Sequence, residues 1–133
     1  MKTYLRTIGL AFLLTGVAVS IAHGQEEDFV AISKVLEAGS SKAMVAHLDK
    51  SVDLNIDGKE ATYSRAQAEG VLKRFFSDYP VQGFEFNHKG ASKSGLPYAI
   101  GQYTYEGGEF RVWIRLKQTS SQYLIEEMSF IKK

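Results

Sequence analysis

The hydrophobic period of this chain drops from 3.6 to 2 after Pro80 and stays at 2 to the end. A helix stripe and an alternating strand each hide only one side of themselves. A chain patterned this way therefore has to lay its helices against one face of a sheet built largely from its second half.

The first half supplies the helices. Glu26, Glu27 and Asp28 place negative charge where a helix dipole favours it, Phe29, Ile32 and Leu36 recur at helical spacing with Val35 beside them, and Gly39 provides a C-terminal stop. Ser40 or Ser41 can cap a second short helix with the stripe Met44, Val45 and Leu48, after which Val52, Leu54 and Ile56 alternate with Asp53, Asn55 and Asp57 in a strand that ends at Asp57-Gly58. In the third helix Ser64 and Gln67 form a capping box, and Ala68, Val71, Leu72, Phe75, Phe76 and Tyr79 make one apolar face before Pro80.

The second half reads as four strands. Phe84, Phe86 and His88 share a face of the first, and Lys89-Gly90 to Gly95 forms its loop. The next two, Tyr98 to Tyr105 and Phe110 to Lys117, meet at Gly107-Gly108, a two-residue hairpin signal. Centring the turn there pairs Tyr105 with Phe110, Tyr103 with Val112, Gly101 with Ile114 and Ala99 with Leu116 on one face. The other face carries Ile100, Gln102, Thr104, Arg111, Trp113, Arg115 and Lys117. Thr119 to Ser121 leads into the last strand, Gln122 to Ile131.

Ahead of all this stands a leader. Lys2 and Arg6 are followed by an uncharged apolar run from Ile8 to Ala22, and Ala22-His23-Gly24 offers small side chains at a cleavage site, so residues 1–24 read as a signal peptide and Gln25 as the mature terminus. The run is shorter than the roughly 18 to 20 residues that span a bilayer, so no membrane anchor is expected, and the protein is placed in the periplasm or outside the cell. The mature 109 residues make a single domain with fourteen basic and fifteen acidic side chains. That balance offers nothing to nucleic acid. The absence of cysteine removes disulfides, thiolate metal sites and cysteine nucleophiles, so packing alone must hold the domain.

The order of elements, with Asp57-Gly58-Lys59-Glu60, Tyr63 to Ala68, Val71 to Phe76 and Tyr123 to Glu127, resembles the nuclear transport factor 2-like, or cystatin-like, superfamily. More narrowly it is similar to an uncharacterised exported domain family of Bacteroidota. The resemblance implies an α+β cone, with three N-terminal helices packed on a curved antiparallel sheet, a pocket at the open end and frequent homodimers. It implies no reaction, since the same cone serves isomerases, dehydratases, cyclases and noncatalytic binding domains.

Enzymes of that superfamily set a carboxylate or histidine beside a tyrosine inside the cone, where an apolar cavity lifts the acid's pKa toward neutrality. Here a tight turn at Thr119-Ser120 would pair Val112 with Glu127 and Trp113 with Glu126, bringing Glu127 inside near Tyr103, while a slip of one residue would bring Glu126 inside instead. His88, continuing the Phe84/Phe86 face, is the next candidate, and these four residues form the catalytic alternative. His47 reads as structural. Asp53, Asn55, Asp57 and Gly58 match the start of an EF-hand loop, but Ser64 stands where the bidentate glutamate belongs, so no metal is expected, and no cofactor motif is present. The remaining candidates form a pocket or interface: Tyr103, Tyr105, Phe76, Phe86 and Val112 toward the cone, and Arg111, Trp113 and Arg115 on the outer face, where tryptophan and arginine suit a partner-binding surface. The leading expectation is a noncatalytic exported domain that binds a small apolar or amphipathic molecule or an envelope protein, as a homodimer. The runner-up is a small isomerase or hydro-lyase.

Overall fold

The structure, a computed structural model, describes residues 25–133. The leader and its cleavage site lie outside the described residues. Helix α1 spans Gln25–Ala38 and buries Phe29, Ile32 and Leu36. It ends at Gly39, whose φ of +63° carries the chain out of the helix while its N–H donates to the Leu36 carbonyl. Helix α2, Ser41–Met44, is capped by the Ser40 hydroxyl, which accepts from Ala43 N at 3.1 Å, and a single 3₁₀ turn, Val45–His47, leads into strand β1, Leu48–Ile56.

Asp57-Gly58 turns the chain back as β2, Lys59–Ser64, a strand the sequence pattern does not announce. Both turn residues have positive φ, +50° and +94°, as a two-residue hairpin loop requires. The polar side chains here serve the protein itself: Asn55 Oδ1 accepts from Gly58 N, Asp57 Oδ1 from Lys132 N, and Asp53 from the Thr62 hydroxyl. Helix α3, Arg65–Asp78, follows with the expected capping box. Ser64 Oγ accepts from Gln67 N, and Gln67 Oε1 accepts from Ser64 N.

Strands β3 (Val81–Ala91), β4 (Pro97–Tyr105), β5 (Gly108–Gln118) and β6 (Tyr123–Lys132) complete a curved six-stranded sheet in the order β2-β1-β6-β5-β4-β3. The α+β class stands, with two corrections. Only α1 and α2 precede the sheet, because α3 emerges from the β1–β2 hairpin. The sheet is also mixed rather than antiparallel, because β1 runs parallel to β6.

The hairpin between β4 and β5 turns at Glu106-Gly107, so that Tyr105 faces Gly108, Tyr103 faces Phe110, Gly101 faces Val112 and Ala99 faces Ile114. This is two residues away from the register read from Gly107-Gly108. An even slip changes partners and keeps faces, so the expected inner face is the buried one. Between β5 and β6 the loop is four residues long, tied by Thr119 N and Oγ1 donating to the Gln122 carbonyl, and a bulge between Arg115 and Leu116 adds one residue more. Together they move the register by three. An odd shift changes faces, and both glutamates leave the interior.

The helices lie on the inner face, where Phe75 of α3 meets Phe130 at 4.3 Å between ring centroids, Phe110 at 5.0 Å and Tyr103 at 5.3 Å. Tyr103, Phe110, Val112, Met128 and Phe130 are fully buried beneath it. Each large side chain so buried contributes about 1.5 to 3 kcal/mol, and the interior of the cone is packed with the protein's own rings.

Candidate functional site

Of the candidates named for the interior, Tyr103 is there and is committed to structure. Its hydroxyl donates to the Tyr79 carbonyl at 2.5 Å, where α3 ends ahead of Pro80, and burial pushes the phenol pKa up to about 12. Phe76 stacks beside it at 6.3 Å, Val112 lies beneath, and Tyr105 packs edge-on against Tyr79 at 5.0 Å. Phe86 meets Phe29 of α1 at 5.5 Å. These side chains build the core.

The other chemically distinctive residues gather on the outer face. A bulge between Phe86 and His88 inserts Asn87, so His88 pairs with Ile100 and lies on the side opposite Phe84 and Phe86, contrary to their expected common face. Its Nε2 is 3.2 Å from the hydroxyl of Tyr98, a residue that nothing in the strand pattern sets apart. The Tyr98 ring lies 6.2 Å from that of Trp113, and the Arg115 guanidinium sits 5.5 Å from the Trp113 ring centroid. Arg115 is then held on its far side, with Nε donating to Glu126 Oε1 at 2.7 Å and Nη2 lying 2.8 Å from Glu127 Oε2. The result is a strip across β3, β4, β5 and β6: His88, Tyr98, Trp113, Arg115, Glu126, Glu127. It joins three of the four catalytic candidates to the interface candidates, and separates all of them from Tyr103.

The bulge that expels Glu126 is what makes this grip two-sided, since in a regular strand adjacent side chains point to opposite faces. The side chains of Arg115, Glu126 and Glu127 retain 30%, 22% and 29% exposure, so the pairing holds its geometry at the edge of solvent. Burial raises the Glu127 pKa, Arg115 opposes the rise, and Asp53, Glu60 and Glu126 add to it. Arg111, nearby on β5, is exposed.

Two further features were missed. Asp28 and His47 influence each other where α1, the 3₁₀ turn and the start of β6 converge. Burial raises Asp28 against a hydrogen bond from the Tyr123 backbone and the charge of His47, and burial lowers His47 against the charge of Asp28. One Asp28 oxygen is buried without a hydrogen-bond partner. The second is a groove of about 530 Å³ between α3 and the β1–β2 hairpin, floored by Ile56, Val71, Phe75 and Tyr79 and rimmed by Asp57, Lys59, Arg74 and Asp78. Among the described residues no group of three or more histidines and carboxylates is arranged to hold a metal ion, and no helix is long and apolar enough to cross a membrane.

The model of a domain of unknown function, DUF4783, matches residues 29–130, which is nearly all of the described chain. The protein belongs to the DUF4783 family. A DUF4783 protein from Bacteroides fragilis YCH46 is 30% identical, with a TM-score of 0.74 over 78% of this chain and 97% of its own, and a DUF4783 protein from Bacteroides ovatus ATCC 8483 is 27% identical, with a TM-score of 0.73 over 77% and 93%. An NTF-2-like protein from Burkholderia xenovorans LB400, at 15% identity and a TM-score of 0.59 over 81% and 83%, shares the fold. No curated protein matches the chain. The chain thus shares the nuclear transport factor 2-like fold that its sequence resembles.

Proposed function

We propose that this DUF4783 protein is an exported, noncatalytic binding domain that holds an envelope protein against the outer face of its sheet. The observation that carries this reading is Arg115, fixed between Glu126 and Glu127 and laid over Trp113 on the face opposite the described helices. An arginine and an aromatic pair already ordered before contact lose little side-chain entropy on binding, and residues of these types dominate the energetics of protein interfaces. Export rests on the leader. The enzymatic alternative loses its support, because neither Glu126 nor Glu127 enters the cone and Tyr103 is engaged with a backbone carbonyl.

The test is a photocrosslinking side chain placed at exposed Arg111 in cells that export the protein. A discrete adduct with an envelope protein, reduced severalfold by Trp113→Ala or Arg115→Gln in the same background, is the expected result. An adduct only with a second copy would assign the face to the homodimer, and no adduct would remove the reading. The 530 Å³ groove favours a second, separate reading, a small amphipathic ligand, since its volume and mixed lining suit one. Val71→Trp should fill that groove without altering the crosslink.

A further inference from the structure

Among the described residues strand β3 is an open edge of the sheet, paired only with β4. Three grooves follow one another along it. The first, about 390 Å³, is lined by Glu37 of α1, by Gln82, Gly83, Phe84 and Glu85 of β3 and by Gln102 and Thr104 of β4. The second, about 340 Å³, shares Glu37, Phe84 and Glu85 with it and runs on between the Phe29, Val30, Ser33, Lys34 side of α1 and Phe86 and Lys89 of β3. The third, about 240 Å³, shares Phe29 and Lys89 with the second and ends at Ala91. From Gln82 to Lys89 the trough is about 23 Å long at about 3.3 Å per residue, the span of an extended segment of seven or eight residues.

We propose that this trough binds an extended peptide segment of another protein, which adds as a seventh strand along β3 and places a basic side chain in the first groove, beside Glu85. Unpaired backbone donors and acceptors at a sheet edge are matched by another extended backbone, and side-chain pockets beside the edge supply selectivity. Glu37 and Glu85 line the first groove, neither makes an ion pair or side-chain hydrogen bond among the described residues, and no other side chain of that groove is a cation, while Lys34 and Lys89 stand with them in the second, where Lys89 is paired with Glu26. That charge asks for a lysine or arginine. The adjoining groove offers Phe29, Phe86 and Val30, the last 47% exposed, to an apolar side chain. Bulges at Gln82 and Asn87 bracket the regular stretch Gly83 to Phe86, which limits pairing to a short register and blunts the edge against open-ended association. The Lys89–Glu26 ion pair at 3.1 Å ties α1 to β3 beyond that stretch.

The probe is a capped seven-residue peptide alternating valine with lysine, titrated into the mature domain while amide exchange is followed. The expected result is saturable binding with slowed exchange within residues 83–86, at least tenfold weaker binding when glutamate replaces the lysines, and loss of binding when alternate amides along the pairing edge are N-methylated. Gly83→Val should block the peptide while leaving the fold intact, because a Cβ at Gly83 meets nothing within 4 Å. Trp113→Ala should leave the affinity unchanged, which separates this site from the outer face. No binding of the lysine peptide, or binding indifferent to N-methylation on either edge, would overturn the proposal. So would protection of residues 83–86 that exists without peptide and disappears on dilution, since the occupant would then be a second copy.

Discussion

Gly101 sits where the sheet has no room for a methyl group. A Cβ built there would lie 2.6 Å from the Glu85 carbonyl oxygen and 2.7 Å from Cζ of the Phe84 ring, one of them immovable backbone. Gly101→Val is therefore expected to destabilise the domain by about 1 to 3 kcal/mol through overpacking, whereas Thr104→Val on the outer face should change it by less than about 0.5 kcal/mol, as read by denaturant titration. The sequence pattern identified the tight position and misassigned its neighbour: the crowding comes from Phe84 and β3, while the opposite residue on β5 is Val112. His47 lends itself to a pH experiment. Burial sets its folded-state pKa below the ordinary 6.5, so between those two values the unfolded chain holds the proton that the native state resists, and stability falls as pH falls through that window. His47→Gln should flatten this slope in melting temperatures collected from pH 7 to 5. Asp28→Asn should steepen it, since it removes the charge that favours His47 protonation. Asp28 itself, raised by burial, acts in a more acidic window and with the opposite sign, its contribution fading as pH rises through the shifted value.

At the scale of elements, what announces itself in sequence is what depends on local chemistry. The α3 capping box is legible because both hydrogen bonds join residues three apart, and Ser64→Ala is expected to lower stability by about 1 kcal/mol, with amide exchange rising first in the first turn of α3. Strand β2 was illegible for a related reason. Five of its six residues are exposed on an edge, so no alternation marks it, and Asp57-Gly58 read as a strand ending rather than a hairpin. Faces survived the misplaced Gly107-Gly108 turn because that slip was even. The glutamates did not, because loop length and bulge together were odd, and neither a bulge nor a four-residue loop leaves a mark in the pattern of Leu124 to Phe130. His88 crossed to the outer face through the same kind of single inserted residue. The outer strip was thus partly legible: Trp113 and Arg115 stood out by residue type, while Tyr98, His88 and both glutamates joined them only through register.

For the whole molecule, the reading as an exported domain makes a direct prediction about mass. The secreted or periplasmic chain should begin at Gln25, with or without the loss of ammonia that accompanies cyclisation of a terminal glutamine, and intact mass spectrometry decides between this and a retained Met1. The order of the strands sets when the sheet can close. Strand β6 is the seam between β2-β1 on one side and β5-β4-β3 on the other, and it follows the other five strands among the described residues. Until residues 123–132 are available, the two halves have no shared partner, Leu54 and Ile56 lack the neighbours Met128 and Phe130, and the ring cluster around Phe75 is missing one wall. Distant pairings of this kind form late. On the exported reading proposed above, a chain so arranged closes only once its β6 residues have been delivered, so the wiring of the sheet keeps the two halves apart until that strand arrives.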